Sequence, residues 1–309
     1  MKITVLIPTY NRAHLLKECL SSVLNQTHKN FEIIVSDNCS TDNTWDLLKR
    51  YKRKYKMIKI HRQKSNQGSN RNLKYLINIS KGKYCSLLFD DDFWQPDFLY
   101  EMNRILENDR FKYIYSDTQW VNKKSKLIKK PFLNIKDGII PRYSLLKENH
   151  IYGMTNCVFF NSPKFSLRDE SLAGDLAFSL ELNLLYDGYH IKKYLYNYRF
   201  HESNESQLKD LYERSIGIFD SLKSIYMSID KKNRTIFESG VLNKLYYQYF
   251  FSNLFLLMKS FNFSRFMDNQ RLLKTKTKFF RKKVVSLMRY LTKTPYLLMT
   301  TFFRIRTEK

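Results

Sequence analysis

The run Ile3–Ile7 (ITVLI) is mostly β-branched and shows no polar alternation, the pattern of a strand buried on both faces; Pro8 is expected to end it. Beyond it, Leu15, Leu16, Cys19, Leu20, Val23 and Leu24 recur at three- and four-residue spacing, which predicts an amphipathic helix over 13–26. Phe31–Ser36 (FEIIVS) reads as a second buried strand. The polar stretch DNCSTDNT (37–44) reads as a loop, and Trp45–Tyr55 as a helix with Thr41 or Asp42 at its N-cap. Met57–His61, Asn66–Ser80 and Tyr84–Phe89 continue the pattern as strand, helix and strand. Strands that alternate with helices across short turns imply a parallel sheet with helices on both faces. In such a sheet ligands bind beyond the carboxyl ends of the strands. PTYNR (8–12), SDNCSTD (36–42) and DDD (90–92) all fall at those ends, so the fold gathers them on one rim.

Charge sharpens the question posed by that rim. The chain carries 54 Lys and Arg against 29 Asp and Glu, a formal net charge of +25, yet Asp90, Asp91 and Asp92 stand side by side. Carboxylates this close repel, and a divalent cation is one neutraliser; Mg²⁺ and Mn²⁺ prefer oxygen ligands and leave positions open for phosphate. Capping of a helix that starts near Pro96 would explain one or two of them without a metal. The chain has no G-x-G-x-x-G and no G-x-x-x-x-G-K-[ST], so a nucleotide would be held by side chains and metal. Cys19, Cys39, Cys85 and Cys157 form no C-x-x-C pair, which argues against a zinc site or disulfide scaffold and for a reducing compartment. The opening MKITVLIPTYNR has too short an apolar run for a signal peptide, and none is expected.

Three segments taken together resemble the N-terminal half of family 2 glycosyltransferases: VLIPTYNRAHLLKECLSSVLNQTHKNFEIIVSDNCSTDNT (5–44), NQGSNRNLKYLINISKGKY (66–84) and LLFDDDFWQPDFL (87–99). The resemblance implies an α/β, GT-A fold, a Rossmann-like and mostly parallel central sheet with flanking helices, over 1–206. A mainly α-helical basic region, 207–309, would follow. It implies transfer of a sugar from a nucleotide-sugar, a UDP-sugar foremost, to a glycan or lipid-linked acceptor, with inversion and with Mn²⁺ or Mg²⁺. By similarity Pro8, Thr9, Tyr10, Asn11 and Arg12 line the base and phosphates, with Asp37 or Asn38 facing the base. Asn66, Gly68 and Arg71 approach the diphosphate or sugar, and Asp90 the ribose or a metal-bound water. Asp91 is the metal ligand, Asp92 a second ligand or a cap, and His201 completes the shell, while Arg199 suits the diphosphate. The family's general base corresponds to Asp175, just after Gly174 at a helix mouth, with Asp169, Glu170 and Glu181 as fallbacks; without the resemblance, an Asp in that position reads as a helix N-cap. Trp120 and Tyr152 are candidates to stack on an acceptor ring.

The last residues add a partner. Residues 271–309 hold 12 basic side chains and one acid, Glu308. In FFRKKVVSLMRYLTK (279–293) an apolar stripe is flanked by cations, the pattern of a helix lying on an anionic membrane surface. The same pattern also fits a helix packed on the domain with a solvated basic face. Nucleic acid is disfavoured, since no RNA-binding motif appears. The expected setting is cytoplasmic, peripheral on the inner face of a bacterial plasma membrane, in surface polysaccharide synthesis of the capsule or lipopolysaccharide O-antigen kind. Two other functions use the same carboxylates: a nucleotidyltransferase acting on a sugar phosphate, and a non-catalytic glycan- or nucleic-acid-binding protein.

Overall fold

The first strand, β1 (Ile3–Thr9), is buried at every position except Pro8. It lies between β2 (Phe31–Asp37) and β4 (Tyr84–Leu87), both parallel to it, and β3 (Ile58–Arg62) extends the sheet beyond β2. The strand does not end at Pro8 as the sequence predicts. The Leu88 N–H donates to the Leu6 carbonyl at 3.0 Å, and β4 continues no further. Residues 6 and 8 of a strand address the same neighbour, so Pro8 faces a side where the ladder has stopped and its missing N–H leaves no gap. Thr9 then addresses β2 and accepts from the Asn38 N–H at 2.9 Å.

This coordinate set is a computed structural model, and it describes residues 1–107, 109–131, 136–146, 155–161, 174–201, 226–227 and 230–237. The chain divides into two compact units, Met1–Leu145 with His150–Leu208, and Leu146–Asn149 with Lys209–Lys309. In the first unit, α1 (Ala13–Leu24), α2 (Thr44–Lys54) and α4 (Phe98–Leu106) share one core with the odd-numbered residues of β1. Leu16, Cys19, Leu20 and Val23 of α1, at helical spacing, are fully buried in it. Burial of a side chain of that size stabilises by about 1.5–3 kcal/mol. Neither Thr41 nor Asp42 is the N-cap of α2. Asn43 holds that position, and Asp42 instead accepts from the Thr44 N–H at 3.0 Å and from the Ala13 N–H, at the start of α1, at 3.3 Å. The helix α3 (Ser69–Ile79) packs on β1 and β2, and Leu73, Leu76 and Ile77 are its buried apolar residues.

The sheet then turns mixed. Its order is β3-β2-β1-β4-β9-β6-β10-β5, where β5 is Phe93–Trp94, β6 is Tyr113–Val121, β9 is Cys157–Phe160 and β10 is Gly188–Arg199. The strand β9 runs antiparallel to both β4 and β6, so β6 and β10 recover the direction of the first four. Two short strands sit off this path: β7 (Leu127–Lys129) on β6 and β8 (Gly138–Ile140) on β10. A helix over Gly174–Leu185, α5, precedes β10. The two residues of β5 matter most for the rim. They pair Trp94 with Tyr196 and Phe93 with Asn197, which draws the end of β10 against the chain that has just left the three aspartates. In the second unit the structure describes α6 (Lys231–Phe237), where the Arg234 guanidinium lies 5.2 Å from the Tyr226 ring centroid. Tyr152, the fallbacks Asp169 and Glu170, and the basic stretch 279–293 lie outside the described residues.

Candidate active site

Two of the polar turns at the strand ends are stitched to each other. Asn11 adopts a φ of +51°, a left-handed conformation that asparagine tolerates better than most residues. Its side-chain oxygen accepts from the Thr41 N–H at 2.8 Å and its own N–H donates to Ser40 Oγ at 2.9 Å. The Asp37 carboxylate is fully enclosed. It accepts from the Ser40 N–H (3.1 Å) and hydroxyl and pairs with Arg62 Nε at 3.2 Å. Asp37, expected with Asn38 to face the base, also orders the turn through these partners. Asn38, also buried, donates to Asn66 Oδ1 and accepts from the Gln67 N–H, each at 2.9 Å, and so ties in the loop before α3. Asn66 Oδ1 also takes the Gly68 N–H at 2.9 Å. Gly68 has a φ of +82° with nothing within 4 Å of where a Cβ would stand, so conformation rather than space selects glycine there. Tyr10, 40% exposed, and Arg71, on the first turn of α3, face solvent.

The aspartates meet this assembly with three different fates. Asp91 Oδ2 lies 2.5 Å from Arg12 Nη1 and 3.1 Å from His201 Nε2, and those two nitrogens are 3.3 Å apart. Burial would raise the Asp91 pKa, but the hydrogen bond from His201 and the Arg12 charge outweigh it and hold the carboxyl below its usual value. Asp90 is buried beside the PTYN turn. Desolvation, with the Asp91 charge behind it, pushes its pKa up, and Arg12 and groups of the turn offset this only in part. Asp92 is enclosed as well: Oδ1 accepts from the Arg199 N–H at 2.6 Å and Oδ2 from the Tyr196 hydroxyl. Burial, then Asp91, raises its pKa well above the ordinary carboxylate range. One acid of the triplet is thus held charged, while the other two are pushed toward the neutral form.

Asp92, expected as a second metal ligand or a helix cap, accepts one hydrogen bond from β10 on each oxygen. Arg199, predicted on a diphosphate, is 1% exposed. Its guanidinium donates to the Asp91 carbonyl (2.7 Å), the Lys123 carbonyl (3.1 Å) and Ser125 Oγ (2.9 Å), and pairs with Glu18 at 2.5 Å. It is a buried clamp that joins α1, the β6–β7 turn and the aspartates. Glu18 is 43% exposed and stays solvated without the arginine, but the Asp91 and Lys123 carbonyls would lose their donor, at a combined cost of about 2–5 kcal/mol. Arg199→Met, which keeps the apolar stem, is therefore expected to lower unfolding stability by about that amount in urea titration. A loss under about 1 kcal/mol would contradict the clamp. Glu18 and Tyr196 were not singled out from sequence; each is separated by about a hundred residues or more from the group it holds, and no local pattern announces that pairing.

The donor set suits a small divalent cation. Adjacent ligands on an octahedral ion at about 2.1 Å stand about 3 Å apart, and Asp91 Oδ2 and His201 Nε2 are 3.1 Å apart. A hard oxygen and an imidazole nitrogen are acceptable to Mn²⁺ and Mg²⁺. His201 Nε2 can donate to Asp91 or accept from Arg12, but one neutral tautomer cannot do both. Among the described residues no group of three or more His, Cys, Asp or Glu side chains could hold a metal; Asp91 and His201 are a pair whose spacing fits adjacent ligand positions. Asp175 is the second residue of α5; its backbone is described and its side chain lies outside the described residues. The remaining fallback, Glu181, is half-buried on the same helix.

Comparison with known proteins places this geometry. The profile described as glycosyl transferase family 2 matches residues 4–167, just over half of the chain. The poly(ribitol-phosphate) β-glucosyltransferase of Bacillus spizizenii is 40% identical over 96 residues, 30% of this chain and 15% of that protein. The chain likewise spans about a fifth of the length of the Rickettsia glycosyltransferases it matches. S. aureus TarS 1–349, solved in complex with UDP-GlcNAc, superposes with a TM-score of 0.74 at 16% identity, covering 93% of this chain and 84% of that one. The mannosyltransferase PcManGT of Pyrobaculum calidifontis, solved with GDP-Man and Mn²⁺, gives 0.56 at 15% identity over 96% and 79%. At such identities the likeness is one of fold, and that fold is GT-A.

Proposed function

This chain belongs to glycosyl transferase family 2, and from that premise we propose that its rim moves a sugar from a nucleotide-diphosphate donor to a hydroxyl of a glycan or lipid-linked acceptor, with inversion. One observation carries the reading: Asp91, Arg12 and His201, from three distant parts of the chain, converge on one point beside the PTYN turn. A bound Mn²⁺ or Mg²⁺ would be held by Asp91 and His201 and would supply Lewis-acid neutralisation of the leaving diphosphate. Arg12 turns its guanidinium from Asp91 to a phosphate oxygen, a geometry arginine matches well. Tyr10 lines the base, and Arg71 reaches the phosphates or the sugar. Asp175, at the start of α5, removes the acceptor proton as general base. The relatives' names favour a surface polymer as the product, and the TarS complex favours a UDP-sugar as donor. The basic stretch 279–293 would hold the enzyme to an anionic membrane surface; among the described residues no helix is long and apolar enough to cross one.

A thermal-shift series with UDP, GDP, dTDP and CMP, each with Mn²⁺, tests the donor site. A ligand at a hundred times its dissociation constant adds about 2.7 kcal/mol to the native state. UDP with Mn²⁺ is expected to raise the melting temperature most, and EDTA to cancel the rise. No shift with any of the four would overturn the reading.

A further inference from the structure

The β6–β7 hairpin is unlike the rest of the described surface. Residues 122–131 carry Lys123, Lys124, Lys126, Lys129 and Lys130 and no acid, and all five lysines are exposed. Of the nine exposed large apolar side chains among the described residues, four lie here or alongside: Trp120 (37%), Leu127 (55%), Ile128 (53%) and Phe200 (46%). Leu127 and Ile128 are consecutive in a strand and so point to opposite faces; both are exposed because the short β7 pairs only with β6. Trp120 and Phe200 lie nearly parallel, with ring centroids 6.4 Å apart, and Lys129 Nζ stands 5.8 Å from the Trp120 ring. The lysine-bearing turn is ordered. Asn122 Oδ1 takes the N–H groups of Lys124 (2.9 Å) and Lys126 (3.1 Å), and Ser125 Oγ donates to Glu18 at 2.6 Å and accepts from Arg199 at 2.9 Å. Through that clamp the hairpin is fixed to the rim, and Phe200 is the residue before His201.

We infer that this hairpin docks edge-on on an anionic lipid bilayer, the unpaired edge of β7 entering first, so that Leu127 and Ile128 on its two faces reach the acyl boundary with Trp120 and Phe200 beside them and the lysines on headgroup phosphates. Charge complementarity names an anionic partner. The exposed aliphatic pair distinguishes a bilayer from a dissolved polyanion, because a polymer in water would engage the lysines and leave Leu127 and Ile128 wet. A bilayer presents an apolar layer beneath its charged plane and takes both, with aromatic rings at the boundary. The inference deepens the membrane contact proposed above and rests on it, but it places that contact on the catalytic unit, at the rim, where a lipid-linked acceptor would be presented.

The test uses the full chain and sedimentation with vesicles of phosphatidylcholine, with or without phosphatidylglycerol. The wild type is expected to bind the phosphatidylglycerol vesicles only, less so at high salt. Leu127→Ser with Ile128→Ser, and separately Lys123→Gln, Lys124→Gln, Lys126→Gln, Lys129→Gln and Lys130→Gln together, are each expected to weaken binding by about tenfold or more. Loss in the lysine variant with normal binding in the aliphatic variant would overturn the bilayer in favour of a dissolved polyanion. Normal binding in both would overturn the hairpin as the docking surface. The thermal shift with UDP and Mn²⁺ is expected to be unchanged in both variants, so failure of docking and failure of the donor site are read separately.

Discussion

Asp91→Asn is expected to lower turnover about 10³-fold, because in the proposed mechanism its carboxylate holds the metal. Metal neutralisation of a leaving diphosphate contributes several kcal/mol to the transition state, and about 4 kcal/mol corresponds to that factor. Asp92 is turned toward β10, where its two oxygens accept from the Arg199 N–H and the Tyr196 hydroxyl. Asp90 is buried and driven toward its neutral form. The asparagine keeps the shape and can still meet Arg12, so the fold is expected to persist while metal-dependent binding of UDP disappears in calorimetry. Turnover within about tenfold of wild type would mean that Asp91 is only the partner of Arg12.

The second large effect is expected at Asp175. A general base contributes about 10²- to 10⁴-fold, and Asp175→Asn is expected to lose a factor in that range from kcat. The affinity for UDP with Mn²⁺ is expected to be unchanged, because the proposed metal ligands Asp91 and His201 come from other segments of the chain, after β4 and after β10. This split between lost turnover and retained binding separates a base from a helix cap, whose removal would lower the melting temperature of both forms and leave chemistry intact. Normal turnover in Asp175→Asn would move the role to another acid, Asp169, Glu170 and Glu181 being the next to test.

The rim was legible because its signals are local. Buried β-branched runs announce β1 and β2, helical spacing announces α1, and parallel topology then carries the polar ends to one side without any knowledge of side-chain contacts. The same locality explains what the sequence hid. Asp90, Asp91 and Asp92 are identical in a string of letters; they differ because Tyr196 and Arg199 reach one and Arg12 and His201 another, across 79 to 110 positions. Arg199 shows the same limit. Its charge suggested an anionic ligand, whereas its guanidinium is buried and donates to Asp91, Lys123 and Ser125, the contacts of a structural clamp. The antiparallel β9 escaped notice too, since a four-residue apolar strand carries no mark of its direction.

The proposed binding of one cation by Asp91 and His201 can be read directly by electron paramagnetic resonance of Mn²⁺. With UDP present, the wild-type chain is predicted to deplete the free-ion signal, and Asp91→Asn to leave it undiminished. Equal depletion by the two proteins would contradict the site described here.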